Sequence, residues 1–309
     1  MTPKQRLQTV LDGEAPDFPP HWELVYQIED VVFGLDRPGG KDEDGEIKLN
    51  IELMSKLVES YEWAAVYPVR AANVTSLKGL RQLKMELGNR ALIAGTDSAG
   101  VFWMPPGDKF VDFSVMLFEK PEELHEKARL KCNQAKERLK NMADAGADFF
   151  ILAYDFGFNA GPFVSPKHFS EFVTPYLSEI VQSIHDSGLK VILHSDGDLR
   201  LLLDQLYSTG LDGYQSVDPQ GNMDIKVVRE QYPDWILMGN IKASMMQDVS
   251  ETQIRLSVQY CMKYGGVGKR YVLSTSNCIF AGMPVESYEI MLDEYKKIIT
   301  GVNKEKTHD

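Results

Sequence analysis

The segment Val191-Ile192-Leu193-His194-Ser195-Asp196-Gly197-Asp198 sets an imidazole and a carboxylate two residues apart at the end of an apolar run. On an extended chain, side chains two apart share a face, so His194 and Asp196 point the same way. Such a pair suits an acid–base couple or two ligands of one metal, since a neutral imidazole nitrogen and a carboxylate oxygen both hold divalent cations. It equally suits a plain hydrogen bond at a strand end. The other apolar runs also finish in polar side chains: Glu23 and Tyr26, Tyr67 and Arg70, Thr96 and Asp97, Asp155, Gln215 and Asp218, Asn240, then Asn277 and Cys278. Any one of these is ordinary where a strand enters solvent. Their concentration at the end of every run favours an active site.

The remaining histidines and cysteines carry less. His125, His168 and His185 fall on helical stretches, His308 lies in the tail, and His21 precedes the first run. Cys132 and Cys261 read as helix packing, the usual role of free cysteine. Cys278, in SNCIFAGMP, instead follows the last run.

Eight apolar runs read as strands: HWELVY, EWAAVYPV, ALIAGTD, DFFILAYD, KVILHSD, LDGYQSVD, DWILMGNI and RYVLSTSN. Between them lie helical patterns, among them a long one after Pro121 and a stripe from Phe169 to Ile184. Continuous apolar strands alternating with amphipathic helices mean a parallel sheet covered on its outer face. Eight strands close a barrel, and no Gly-x-Gly-x-x-Gly marks a dinucleotide fold. The expected fold is α/β, a single (β/α)8 TIM barrel over residues 1–309. A helix from Thr2 to Gly13, carrying Leu7, Val10 and Leu11 on one side, should cover its amino-terminal end. DRPGGKDEDGE reads as a surface loop, and residues 100–120 as an irregular stretch exposing the aromatics of VFWMPPGDKF.

At 43% hydrophobic residues the chain has material for a sizeable core. Its net charge of −12 opposes nucleic-acid binding and docking on anionic lipid. MTPKQRLQTVLDGE has no apolar core of signal-peptide length, and no run approaches the ~20 residues of a spanning helix. Three scattered cysteines make no disulfide framework. A cytoplasmic protein without nucleic-acid or membrane partners is expected.

Several stretches resemble the uroporphyrinogen decarboxylase superfamily: TPKQRLQTVLDGEAPDFPP, AGADFFILAYDFGFNAGPFVSPKHFSEFVTPYLSEIV, GLKVILHSDGDLRLLLDQLYSTGLDGYQSVDP and WILMGNI. The resemblance covers most of the chain and thins at residues 28–60 and 98–120. True decarboxylases of the superfamily carry Arg-Gln-Ala-Gly-Arg after the first strand, where this chain reads Tyr26-Gln27-Ile28-Glu29-Asp30, with Arg37 the next arginine. They also carry a His seven residues before a Pro in the last strand loop. That spacing from Pro284 falls here on Asn277. A tetrapyrrole bearing many carboxylates needs cationic partners, and this mouth offers mainly acids, with Arg70 the nearest exception.

The chain is more similar to the zinc methyltransferases that serve corrinoid proteins. Their pattern is His-x-Cys at the fifth strand with a further Cys after the last. Here His194-Ser195-Asp196 puts an acid in the first cysteine's place, and Cys278 lies one position past the expected Asn277. Zinc accepts carboxylate oxygen too, so the resemblance implies a metal held by His194, Asp196 and Cys278 with one open position. Related enzymes that cleave methyl ethers also use carboxylate and histidine ligands.

The activity so implied moves a methyl group between a small methylated compound (methyl ether, thiol or amine type) and a corrinoid protein. The metal serves as Lewis acid. Asp155 joins His194 and Asp196 in the catalytic set. Asp155 and Glu23 orient substrate or act as spare ligands, and Tyr26, Tyr67, Gln215, Asn240 and Asn277 line the pocket. Cobalamin would arrive on the partner, docked against Phe102, Trp103 and Met104, unless that loop folds back as a lid. The alternatives are a metal-free decarboxylase or lyase of a small carboxylated substrate, with Asp155 or Asp196 as acid–base group, and a barrel that binds ligand or corrinoid without turnover.

Overall fold

The computed structural model describes residues 1–36, 42–68, 70–71, 74–266 and 268–306. Arg37 and the side chain of Arg70 lie outside the described residues. Seven parallel strands pair in chain order: β1 (Ala65–Val66), β2 (Leu92–Asp97), β3 (Phe149–Ala153), β4 (Lys190–His194), β5 (Gly213–Ser216), β6 (Ile236–Ile241) and β7 (Tyr271–Thr275). Every residue of β2, β5, β6 and β7 is buried, as expected of strands covered on both faces. Helices such as Leu77–Leu87, Pro121–Asp144 and Thr174–His185 fill the crossovers, and Val285–Lys306 follows the last strand.

The curl closes through the first expected strand, HWELVY, which is not a regular strand. It makes only two isolated parallel bridges, His21 with Leu273 and Tyr26 with Ile279. Leu273 N donates to Pro20 O at 2.9 Å, Trp22 N to Leu273 O at 3.3 Å, and Ala64 N to His21 O at 3.0 Å. Residues 20–22 thus join β7 to β1. Past them the ladder fails for a local reason. The carboxyl group of Glu23 occupies the place of a backbone carbonyl, hydrogen-bonded to Thr275 N at 3.0 Å and to Thr275 Oγ1 at 2.7 Å. Pro19 and Pro20, which lack an N–H, shorten the strand from its other end.

The helix α1 (Pro3–Leu11) starts in a capping box, with Thr2 Oγ1 accepting from Gln5 N and Gln5 Oε1 accepting from Thr2 N. It buries Leu7, Val10 and Leu11, and Arg270, just ahead of β7, donates to Gly13 O at 2.7 Å. The helix therefore lies at the amino-terminal ends of the strands, as its sequence implies.

Helices occupy parts of two stretches expected to be loops. Glu43–Tyr61 begins inside DRPGGKDEDGE, where Asp42 accepts from Gly45 N at 2.9 Å. Glu43, Asp44 and Glu46 are its first turn, where acidic side chains oppose the helix dipole. Gly107–Glu119 follows Pro105 and Pro106. Among the described residues no helix is long and apolar enough to cross a membrane.

Candidate metal centre at the barrel mouth

The registers of β3 and β4 build the centre. Ala153 pairs with His194, and Tyr154 N extends the ladder by donating to His194 O at 3.1 Å. One residue further, Asp155 stands beside the end of β4. Its Oδ1 is 3.7 Å from His194 Nε2 and accepts weakly from Asp196 N at 3.4 Å. Asp196 Oδ2 lies 3.9 Å from the same nitrogen. Donor atoms of Asp155, His194 and Asp196 all fall within 4.8 Å of one another.

Neighbouring side chains set the chemistry of these three. His194 Nδ1 is hydrogen-bonded to Gln215 Oε1, an oxygen that can only accept, so Nδ1 carries a proton and Nε2 is the nitrogen turned to the carboxylates. Gln215, fully buried, is itself oriented by donating to Ser276 O at 3.4 Å. This outer support is what metal-ligating histidines require. Asn277 Nδ2 donates to Asp196 Oδ2, while Asp196 Oδ1 is buried with no hydrogen-bond partner. Burial raises the Asp196 carboxyl above its ordinary range, the charge of His194 and the nearby Ser216 hydroxyl oppose this, and Asp155 and Asp218 raise it further. Clustered carboxylates, an imidazole lone pair and an orphaned carboxylate oxygen fit a divalent cation, with room for a further ligand. Three nitrogen and oxygen donors are what these residues supply.

The other residues singled out by the sequence divide. Gln215 and Asn277 hold the cluster. Tyr67 is half-buried just beyond β1 and packs against the core. Cys278 is not one of the three clustered donors. It is half-buried, its thiol pushed up to about 11 by burial and by the charges of Glu23 and Asp196. The turn after β7 brings Asn277 over Asp196 instead. Tyr26 does not line the mouth: its ring packs with Phe33, Tyr61, Trp63 and Tyr288 at centroid distances of 5.8–6.3 Å. Asn240 is occupied with backbone, donating to Val217 O and to Met223 O. Glu23, with no exposed surface, stitches the seam rather than meeting substrate. Asp155, expected as a spare ligand, stands in the first rank. Its signal was the acid closing DFFILAYD, legible as a ligand only once the register to β4 is known.

The apolar loop after β2 also differs from expectation. Val101 and Phe102 are buried, Trp103 and Met104 half-buried, and Met104 N donates to Asp155 O at 2.8 Å. The segment folds back onto the backbone at Asp155 and covers that strand end. The apolar groups left outward are on the helix that follows: Val111, Val115 and Phe118 are 69%, 43% and 74% exposed.

The sequence profile of the uroporphyrinogen decarboxylase (URO-D) family matches residues 76–298. Uroporphyrinogen decarboxylase 2, chloroplastic, of Arabidopsis thaliana is 26% identical over 219 residues, 68% of this chain and 53% of that protein. The uroporphyrinogen decarboxylase of Prochlorococcus marinus is 23% identical over 229 residues, 71% of this chain and 63% of that one. The chain spans between about half and two thirds of the length of these curated relatives. A methyltransferase from Methanosarcina mazei is similar in fold, with a TM-score of 0.77 at 17% identity over 96% of this chain and 99% of that one. The profile match takes in β2 through β7 and every residue of the cluster, and the chain belongs to the uroporphyrinogen decarboxylase family.

Proposed function

We propose that this protein is a metal-dependent methyltransferase that moves a methyl group between a small methylated compound and a corrinoid protein. The observation that carries the reading is the cluster of Asp155, His194 and Asp196, whose donor atoms lie within 4.8 Å of one another. Zinc, the metal we assign, would supply Lewis-acid polarisation of the substrate's ether oxygen, thiol or amine. His194 and Asp196 would hold it, with Asp155 taking the third place that the family resemblance implied for Cys278. Gln215 fixes the ring orientation in which Nε2 of His194 faces the carboxylates, Asn277 holds the Asp196 carboxylate, and the 101–104 segment packs on the strand end that carries Asp155. The fold likeness to a methyltransferase supports this reading. Metal analysis after purification without chelator, together with methyl transfer to free cobalamin, tests it directly.

A second reading is kept by one observation. Burial raises the Asp196 carboxyl, so it holds a proton more readily than an ordinary aspartate, as a metal-free lyase of a small carboxylated substrate needs. Absence of stoichiometric metal, with no activation by added zinc, would give that reading the lead.

Uroporphyrinogen itself is a poor fit. Among the described residues no arginine or lysine forms an ion pair with the cluster, and Arg200 nearby is engaged by Asp198 at 2.6 Å. A substrate with many carboxylates would meet acids without cationic partners. Purified protein incubated with uroporphyrinogen is expected to yield no coproporphyrinogen, and steady production would overturn this view of the mouth.

The corrinoid partner must approach the carboxyl ends of the strands, since the barrel interior is filled by side chains such as Trp22 against Phe149. The stripe Val111, Val115 and Phe118 lies on the helix that follows β2 and offers one apolar surface for docking. Val115→Asp and Phe118→Asp are expected to slow transfer involving the corrinoid protein about tenfold, a typical loss for an interface anchor. Turnover of free cobalamin should stay unchanged. An equal fall with both acceptors would locate the stripe's role in the pocket instead.

A further inference from the structure

One connected group outside the cluster reaches it through the backbone. Asp97, at the end of β2, is buried and turned away from the mouth. Its Oδ1 accepts from Arg138 Nε at 2.8 Å, and its Oδ2 accepts from Tyr154 Oη at 2.6 Å and from Ala99 N at 3.1 Å. Tyr154 directly precedes Asp155. Consecutive side chains on an extended chain point to opposite sides, so an anchored tyrosine outside fixes how the carboxylate is presented inside.

The covering segment is tied to the same unit at both ends, through Ala99 N to Asp97 and through Met104 N to Asp155 O. Between these ties, Gly100 passes directly against the tyrosine. A Cβ there would lie 2.4 Å from Tyr154 Oη and 2.8 Å from both Ala135 Cβ and Ile180 Cδ1. Only glycine leaves the tyrosine hydroxyl its place beside Asp97.

We infer that Tyr154 is a positioning residue, whose hydrogen bond to Asp97 sets both the 98–104 cover and the carboxylate of Asp155. For Asp155 the inference rests on the metal-centre reading; for the cover it does not. Two measurements on the full-length Tyr154→Phe protein keep these apart. The first is titration with Co2+ alone, followed by its visible absorption. The second is acrylamide quenching of tryptophan fluorescence. Trp22, Trp63 and Trp235 are 0%, 0% and 2% exposed, so quenching reports on half-buried Trp103, inside the cover.

Removing the one hydroxyl is expected to weaken Co2+ binding about tenfold, the scale of a lost outer-shell support, and to alter the band pattern as Asp155 withdraws. Quenching of Trp103 should rise. Gly100→Ala displaces the tyrosine without deleting a polar group and should reproduce both changes. Unchanged binding and unchanged quenching in Tyr154→Phe would overturn the inference. Raised quenching with wild-type Co2+ affinity and spectrum would overturn the Asp155 half and leave Tyr154 a support of the cover. Wild-type protein that takes up no Co2+ sinks the metal reading alone, and the coupling is then judged on Trp103.

Discussion

Replacing His194 by alanine is expected to strip the purified protein of stoichiometric divalent metal and to lower methyl transfer by about a hundredfold or more. Losing a mere outer-shell partner already costs roughly 10–100-fold in affinity, and His194 supplies the cluster's one nitrogen donor. Asp196→Ala removes the carboxylate whose Oδ1 has no hydrogen-bond partner, and leaves the Asn277 amide without its acceptor. It should behave like His194→Ala. The informative contrast is between Asp155→Ala and Cys278→Ala. Asp155 has an oxygen 3.7 Å from His194 Nε2, whereas Cys278 carries a thiol that burial keeps protonated at neutral pH. A thiol must lose its proton to bind metal, so a raised thiol binds less well. Metal content measured by elemental analysis, alongside circular dichroism to confirm folding, should fall in Asp155→Ala and hold in Cys278→Ala. The reverse pattern would return the third place to Cys278. Loss in neither would leave His194 and Asp196 as a two-residue site completed by substrate or water.

What the sequence disclosed here, and what it hid, divides along physical lines. The runs LIAGTD, FFILA, KVILH and ILMGNI are legible because a strand covered on both faces must be apolar throughout. HWELVY shows the same composition but not the same structure. Whether a short run completes a ladder depends on its neighbours' hydrogen bonds, and there the Glu23 side chain intervenes. The charged stretch after Asp42 reads as loop by composition, yet acidic residues are what a helix's first turn prefers. Gly107–Glu119 was obscured differently: with Phe113 and Leu117 turned inward and Val111, Val115 and Phe118 outward, it is apolar on two faces and shows no clean period.

At the site, His194 and Asp196 were readable from their two-residue spacing alone. Asp155 joined them only through the pairing of Ala153 with His194, a relation between segments that are distant in sequence. Tyr26 illustrates the opposite error. Its place at the end of an apolar run suggested the mouth, but its ring packs in an aromatic cluster with Tyr288 of the last helix.

Glu23→Gln is expected to make the protein more stable at pH 8 by a few kcal/mol while changing little at pH 4.5. Glu23 has no exposed surface, and burial raises its carboxyl from 4.5 to about 8, against the opposing pull of the Thr275 hydroxyl and N–H. The folded state therefore keeps a proton that the unfolded chain releases near pH 4.5. Between that pH and about 8 the folded state binds more protons, so stability falls as pH rises and levels off above the folded value. The neutral acid loses nothing in hydrogen bonding: one oxygen accepts from Thr275 N while its O–H donates to Thr275 Oγ1. A glutamine amide reproduces both bonds, oxygen to N–H and NH2 to hydroxyl, at nearly the same volume. The substitution thus removes the titration and keeps the seam between the first segment and β7. His21, buried nearby and lowered to about 4, adds its own pH dependence. That contribution is common to both proteins and cancels in their difference. Urea unfolding of wild type and variant from pH 4.5 to 9 should give curves that coincide at the acid end and separate steadily to about pH 8. Parallel curves would mean that Glu23 is ionised in the folded protein, compensated by a charge the seam does not show. Metal content and KM should be the same in both proteins, because a residue sealed between Thr275 and the first segment does not touch substrate; a raised KM in Glu23→Gln would restore it to the pocket.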